Sequence, residues 1–145
     1  TMAMPQEKKA SRSVSGELAL KTERRTQLLD VTAVVGQMVR DSGVHAGICH
    51  LYVPHTTAGI IVNEAADSDV ARDLEAALDR MAPRDAGYRH AEGNSDAHIK
   101  SALVGSSASV FVAGGRLELG QWQGIFFCEF DGPRERKLRI KIVPD

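Results

Sequence analysis

The chain has 145 residues, 43% hydrophobic and 26% charged, with 18 basic and 19 acidic side chains and a net charge of −1. That is one domain's length, with enough apolar material for a core. So balanced a charge excludes the single-sign field that recruits nucleic acid or an anionic membrane. No apolar run approaches the roughly 20 residues of a membrane span, and the first residues lack a signal peptide's apolar stretch. The expectation is a cytoplasmic protein without nucleic-acid or membrane partners.

Residues 1–13, TMAMPQEKKASRS, are polar and aperiodic. They read as a disordered tail or expression remnant, leaving 14–145 as a single domain. Val14 to Lys21 alternates Leu18 and Leu20 with polar residues, which predicts a strand. After Asp30, a candidate N-cap, Val31, Val34, Val35, Met38 and Val39 fall at helical spacing, and Gly43 ends that helix. Ala46–Val53 and Ala58–Val62 are short apolar runs of strand formers, parted by Pro54 and His55-Thr56-Thr57.

A second helix follows a cap at Asp67 or Ser68, with a stripe of Val70, Leu74, Ala77, Leu78 and Met81, and closes at Pro83. A third, short helix is predicted from a cap at Asn94 or Ser95 to Gly105. Strand-like runs then cover Ser109–Ala113, Gln123–Phe130 and Lys137–Val143, with turns at Gly114-Gly115 and Asp131-Gly132-Pro133. Mixed helices and strands with an antiparallel ending predict an α+β fold, antiparallel β-sheets packed with about three helices. Cys49 and Cys128 read as reduced core thiols.

Unusual polar residues gather in two loops: Pro54–Gly59, followed by Asn63, Glu64 and Asp67, and His90–Ser101. In the second loop a glycine and small polar residues run into a helix start, whose unpaired N–H groups suit an anion such as phosphate. Lys100 and Ser101 lie in the first two turns, and His98 sits about one turn inside, where imidazole can ligate a metal or move a proton. Against this, a capped helix with a nearby histidine is commonly structural, and no histidine pair shows a standard zinc spacing. His45 and His50 carry less signal still, and Gly114-Gly115 reads as a hairpin turn.

The stretches HTTAGIIVNEAADSDVARDLE (55–75), HAEGNSDAHIKSALVG (90–105) and GRLELGQWQGIFFCEFDGPRERK (115–137) resemble signatures of the YjbQ family, in order, across roughly residues 14–143. The resemblance implies an α+β homotrimer with a polar site near a subunit boundary, sometimes holding a metal. Its implied activity is of the thiamine-phosphate synthase type, a transferase joining a hydroxymethylpyrimidine diphosphate to a thiazole phosphate. The alternatives are a non-enzymatic binder of a phosphorylated metabolite or metal, and a metal-assisted hydrolase. By motif, His55, His98 and Glu64 are candidate catalytic residues. Asn94, Ser95, Lys100, Ser101 and Arg116 are candidates for substrate or phosphate binding. His55, His90, His98 and Asp96 are candidate ligands of a divalent zinc or magnesium ion. Asn63, Asp67, Glu92, Gln121 and Trp122 belong to the same motifs. His55, His90 and His98 are expected to converge on one pocket. Many relatives carry Glu-His-Arg where this chain has Glu129-Phe130-Asp131, so one familial histidine is absent.

Overall fold

The computed structural model describes residues 12–145. Among these residues, eight strands form two antiparallel sheets. The larger has the order β1-β8-β3-β5-β6, where β1 is Val14–Lys21, β3 Gly47–Tyr52, β5 Ser107–Ala113, β6 Arg116–Leu117 and β8 Glu135–Pro144. The smaller has the order β2-β7-β4, from Gln27–Asp30, Gln123–Glu129 and Ala58–Glu64. The helices are α1 (Thr32–Ser42), α2 (Ser68–Met81) and α3 (Ser95–Val104).

The main core lies between the sheets. Cys49, Leu51, Val110, Val112, Leu138, Ile140 and Ile142 from the large sheet meet Ile60, Ile125 and Phe127 of the small one, with Val35 and Val39 of α1 closing the side. A second cluster covers the small sheet's other face, where Phe126, Cys128 and Phe130 meet Ala97 of α3, with Leu78 and Val104 packed on. Strand β7 is therefore buried on both faces, from Gly124 onward. This accounts for its unbroken apolar run, since a strand with one wet face would alternate. The surplus face packs against this chain's own helices, so the run by itself calls for no neighbouring subunit.

The expected helices are present. The carboxylate of Asp30 accepts from the Thr32 N–H at 2.9 Å and from its hydroxyl at 2.6 Å, one residue ahead of the helix boundary at Val31. Gly43 ends α1 at φ 72°, a left-handed position that glycine takes without steric cost. Asp67 caps α2 by accepting from the Asp69 N–H. The Gly114-Gly115 turn, both residues at positive φ, joins β5 to the two-residue β6. Strands β2 and β6 are additions to the sequence reading, too short for a period to register.

Cys49 belongs to the core between the sheets and Cys128 to the cluster on the small sheet's far side. A sheet's thickness separates them, well beyond a disulfide's Cβ spacing of roughly 4 Å. Burial pushes the Cys49 thiol up to about 11, and burial with the nearby Glu75 charge pushes Cys128 to about 12. Native protein should therefore react slowly with thiol reagents and yield two free thiols on denaturation. A native mass two units low would overturn this.

Candidate functional site

The site begins where β3 ends. Pro54 has no N–H to continue the ladder, so the chain leaves the large sheet and runs through His55, Thr56 and Thr57 into β4. Gly105 and Ser106 hold this connection from beneath: Val53 N–H donates to Ser106 O at 2.8 Å and Ile60 N–H to Gly105 O at 3.1 Å. The same end of the molecule receives the start of α3 and the turn from β7 to β8. Together they enclose an open cleft of about 940 Å³, lined among others by His55, Thr57, Asn94, His98, Arg134 and Arg136.

Two arginines dominate its electrostatics, each clamped by a carboxylate. Arg136 is buried on the inner face of β8, and its Nε and Nη2 donate to the fully buried Glu129 of β7. Nη2 also reaches the Thr57 hydroxyl at 2.7 Å. Glu129 further accepts from the Thr22 hydroxyl and from the N–H groups of Phe130 and Asp131. Burial alone would raise the Glu129 carboxyl. The hydrogen bonds from Arg136, Thr22 and Asp131 N–H, with the arginine's charge, outweigh it and hold the group below the usual carboxylate range. Arg134 is held by Asp131, through Nη2 to the carboxylate at 2.8 Å and Nε to the backbone oxygen at 2.8 Å. Among the described residues, no hydrogen bond engages Nη1 of Arg134 or Arg136.

Asp131 is a hub, also accepting from Arg25 and from Asn94 Nδ2 at 2.8 Å. Burial works to raise its carboxyl, but the Asn94 bond and the Arg134 and Arg25 charges keep it low and ionised. An ionised carboxylate only accepts, so the Asn94 amide cannot be turned over, and its Oδ1 is left buried without a partner.

The polar loops named from sequence do meet here, though not every residue takes the anticipated place. His55 and His98 line the one cleft, while His90 lines an adjoining cavity of about 300 Å³ with Arg84, Tyr88 and Ser95. The His90 and His98 rings touch edge to face, centroids 5.3 Å apart. Lys100 and Asp96 are buried and committed: Lys100 pairs with Asp79 and Asp96, and Asp96 also takes Arg25. Ser101 donates to Ala58 O at 2.7 Å, tying α3 to β4. Glu64 accepts from Ala66 N–H at the entry to α2, and exposed Arg116 lies on β6; neither lines the cleft. Phe130, standing at the familial histidine, is fully buried in the cluster under α3.

As metal donors these groups fit poorly within one chain. Asp96 is saturated by cations, the His55 Nε2 lone pair accepts the Lys137 N–H at 3.0 Å, and no three His, Cys, Asp or Glu residues among those described form a metal-holding group. The unspent guanidinium nitrogens suit an anion instead. The sequence reading missed Glu129, Asp131, Arg134 and Arg136. One signal was available: alternation along β8 places Arg136 on the same face as Leu138, Ile140 and Ile142.

A family described as "UPF0047 protein YjbQ-like" matches residues 16–145. The UPF0047 protein YugU of Bacillus subtilis is 47% identical over 127 residues, 87% of this chain and 96% of its own. A UPF0047 protein of Methanocaldococcus jannaschii is 48% identical over 126 residues, 87% of this chain and 91% of that one. Among solved structures, an uncharacterised YjbQ/UPF0047 protein of Clostridium acetobutylicum superposes with a TM-score of 0.86 at 50% identity, covering 88% of this chain and 98% of its own. A protein of unknown function from Sulfolobus solfataricus gives 0.89 at 31% identity, over 92% and 99%.

Removing Arg136 strands a buried carboxylate. Arg136→Ala should cost on the order of 3–5 kcal/mol, read by urea unfolding, and the double change Glu129→Gln with Arg136→Met should recover most of it. Because the folded Glu129 titrates below its unfolded form, its stabilisation is complete above the ordinary carboxylate range and is lost as pH falls through the depressed folded value. Glu129→Gln should therefore flatten the acid limb of the stability curve.

Proposed function

The chain belongs to the YjbQ-like UPF0047 family, and from that premise we propose that its cleft binds a phosphorylated small molecule. The observation that carries this reading is the pair Arg134 and Arg136. Each is fixed through Nε and Nη2, Arg136 by the Glu129 carboxylate and Arg134 by the carboxylate and backbone oxygen of Asp131, and each retains Nη1. A guanidinium already held in place loses little freedom on binding, and it meets phosphoryl oxygens with charge-assisted hydrogen bonds. His98, on the first turn of α3, faces the same space, and the helix dipole there favours negative charge.

The reaction to test first is displacement of diphosphate, specifically the condensation of a hydroxymethylpyrimidine diphosphate with a thiazole phosphate. Such chemistry needs the leaving diphosphate stabilised as charge develops on it, which fixed cationic donors do without reorganisation. In this reading the arginines hold the diphosphate oxygens, His98 adds a hydrogen bond, and the buried Asn94 Oδ1 takes a donor from the substrate or a trapped water. Lys100 acts indirectly, by fixing Asp96 and the start of α3. Any divalent cation would rest mainly on the diphosphate's own oxygens.

Calorimetric titration with inorganic phosphate and diphosphate tests binding, and diphosphate release from the two precursors tests turnover. Binding without release supports a non-enzymatic binder; no binding of either anion overturns the proposal. His98→Ala should weaken diphosphate affinity by about 10-fold, on the order of 1.4 kcal/mol, with unfolding unchanged.

We also propose a homotrimer. The family resemblance motivates it, and Tyr52, Phe111 and Trp122, each at least half exposed, supply apolar surface to cover. Light scattering should return three times 15.7 kDa, and the single-chain mass would refute it.

A further inference from the structure

The ring of His55 is locked by the backbone it lies against. Strand β3 pairs with β8 from Gly47↔Pro144 to Tyr52↔Arg139, and continuing that register sets Pro54 opposite Lys137. Pro54 has no N–H to continue the ladder, so the chain turns away after Tyr52, and the Lys137 N–H, which would otherwise meet the Pro54 carbonyl, takes a side-chain acceptor instead. The His55 side chain supplies it: Lys137 N–H donates to Nε2 at 3.0 Å. A backbone amide can only donate, so Nε2 must keep its lone pair. The neutral ring then carries its proton on Nδ1. Protonating Nε2 would set one N–H against another.

We infer that His55 is held as the neutral Nδ1–H tautomer and serves the cleft as a hydrogen-bond donor, not as a base, a cation or an Nε2 metal ligand. Its use as a donor rests on the anion-binding reading above; the tautomer does not. The surroundings agree with the geometry. Burial and the neighbouring Arg136 charge, the two largest influences, lower the readiness of this imidazole to protonate, against smaller opposing influences that include the Glu129 charge. His55 also separates two clefts. It lines the large polar one and, with Arg136, a second cavity of about 420 Å³ bordered by Ala19, Leu20 and Lys137. An imidazole in this state donates to a phosphoryl oxygen without adding charge, complementing the arginines. The fixed proton also separates its role from that of His98, whose ring makes no hydrogen bond among the described residues and packs edge to face on His90.

Two measurements decide the matter. Long-range proton–nitrogen correlation spectra of protein labelled with nitrogen-15 histidine, at pH 7 and without ligand, read the tautomer directly. His55 should show a protonated Nδ1 and an unprotonated Nε2, the reverse of the form that free imidazole side chains favour. An Nε2–H or doubly protonated His55 would overturn the inference whatever the cleft binds. The second measurement titrates diphosphate into two variants. In His55→Gln the side-chain oxygen can replace Nε2 as acceptor for Lys137, but the donor is lost; thermal stability should hold while affinity falls about 10-fold or more. In His55→Asn the amide nitrogen stands near the Nδ1 position, and affinity should stay within about threefold of the wild type. Wild-type affinity in His55→Gln would reduce His55 to a strand cap and refute the donor role. If wild-type protein binds no diphosphate, the anion reading falls and the donor role with it, while the spectrum still decides the tautomer.

Discussion

The Glu129–Arg136 ion pair is the contact on which the rest of this molecule is arranged. It joins β7 of the small sheet to β8 of the large one, and Thr22 and Thr57 bring in the segments after β1 and before β4. Both charges are withdrawn from water, Glu129 fully and Arg136 with 6% exposure. Burying an ion costs several kcal/mol, and mutual attraction offsets this only when the remaining lone pairs and protons are also satisfied. On the carboxylate side they are: Glu129 accepts two guanidinium bonds, a hydroxyl and two backbone amides, and Arg136 keeps only Nη1, at the cleft, unbonded among the described residues. Such a pair contributes geometric uniqueness more than net stability, because a slipped register would leave buried charges without these partners.

That uniqueness is what the cleft inherits. Charged groups in it fall into two kinds, those satisfied by the protein and those with capacity left over. Lys100 belongs to the first, held by Asp79 and Asp96 and almost fully buried. Arg134 and Arg136 belong to the second, each clamped on one edge and unbonded at Nη1. Asp131 separates the two behaviours, since its carboxylate gathers Arg25, Arg134 and Asn94 into one arrangement. A site made of charges whose positions are set by other charges needs little reordering when a ligand arrives.

Helices and most strands were legible in the sequence because their signals are periodic and punctuated. Asp30, Gly43, Asp67 and Gly105 mark ends at, or within a residue of, the places where the structure puts them. Strand β2 was not legible: four residues give no period, and β2 exists because Leu28 and Leu29 pair with Cys128 and Phe127 of β7. The candidate site was legible by its loops, since packing does not account for so many polar residues between apolar runs. Its arginines and their carboxylates were not, because a buried ion pair is spelled with the same letters as a solvated face. The role expected of Lys100 went astray for a related reason. Its spacing of four from Asp96 is that of an intrahelical pair, and the structure uses it so.

The position of the cleft follows from where backbone pairing stops. Strand β3 ends at Tyr52, two residues before Pro54, β7 ends at Glu129 ahead of the Gly132 turn, and α3 starts at Ser95, all at one end of the two sheets. Each ending leaves donors or acceptors that cannot remain bare in a buried setting. Val53 and Phe130 satisfy theirs on Ser106 and Thr57 carbonyls, and Lys137 on the His55 ring. Side chains recruited to close these endings are already polar, already positioned and partly enclosed. A concave polar surface is therefore a by-product of ending three elements together. What turns it into a candidate binding site is the small excess of donors over acceptors that remains once the fold's own needs are met.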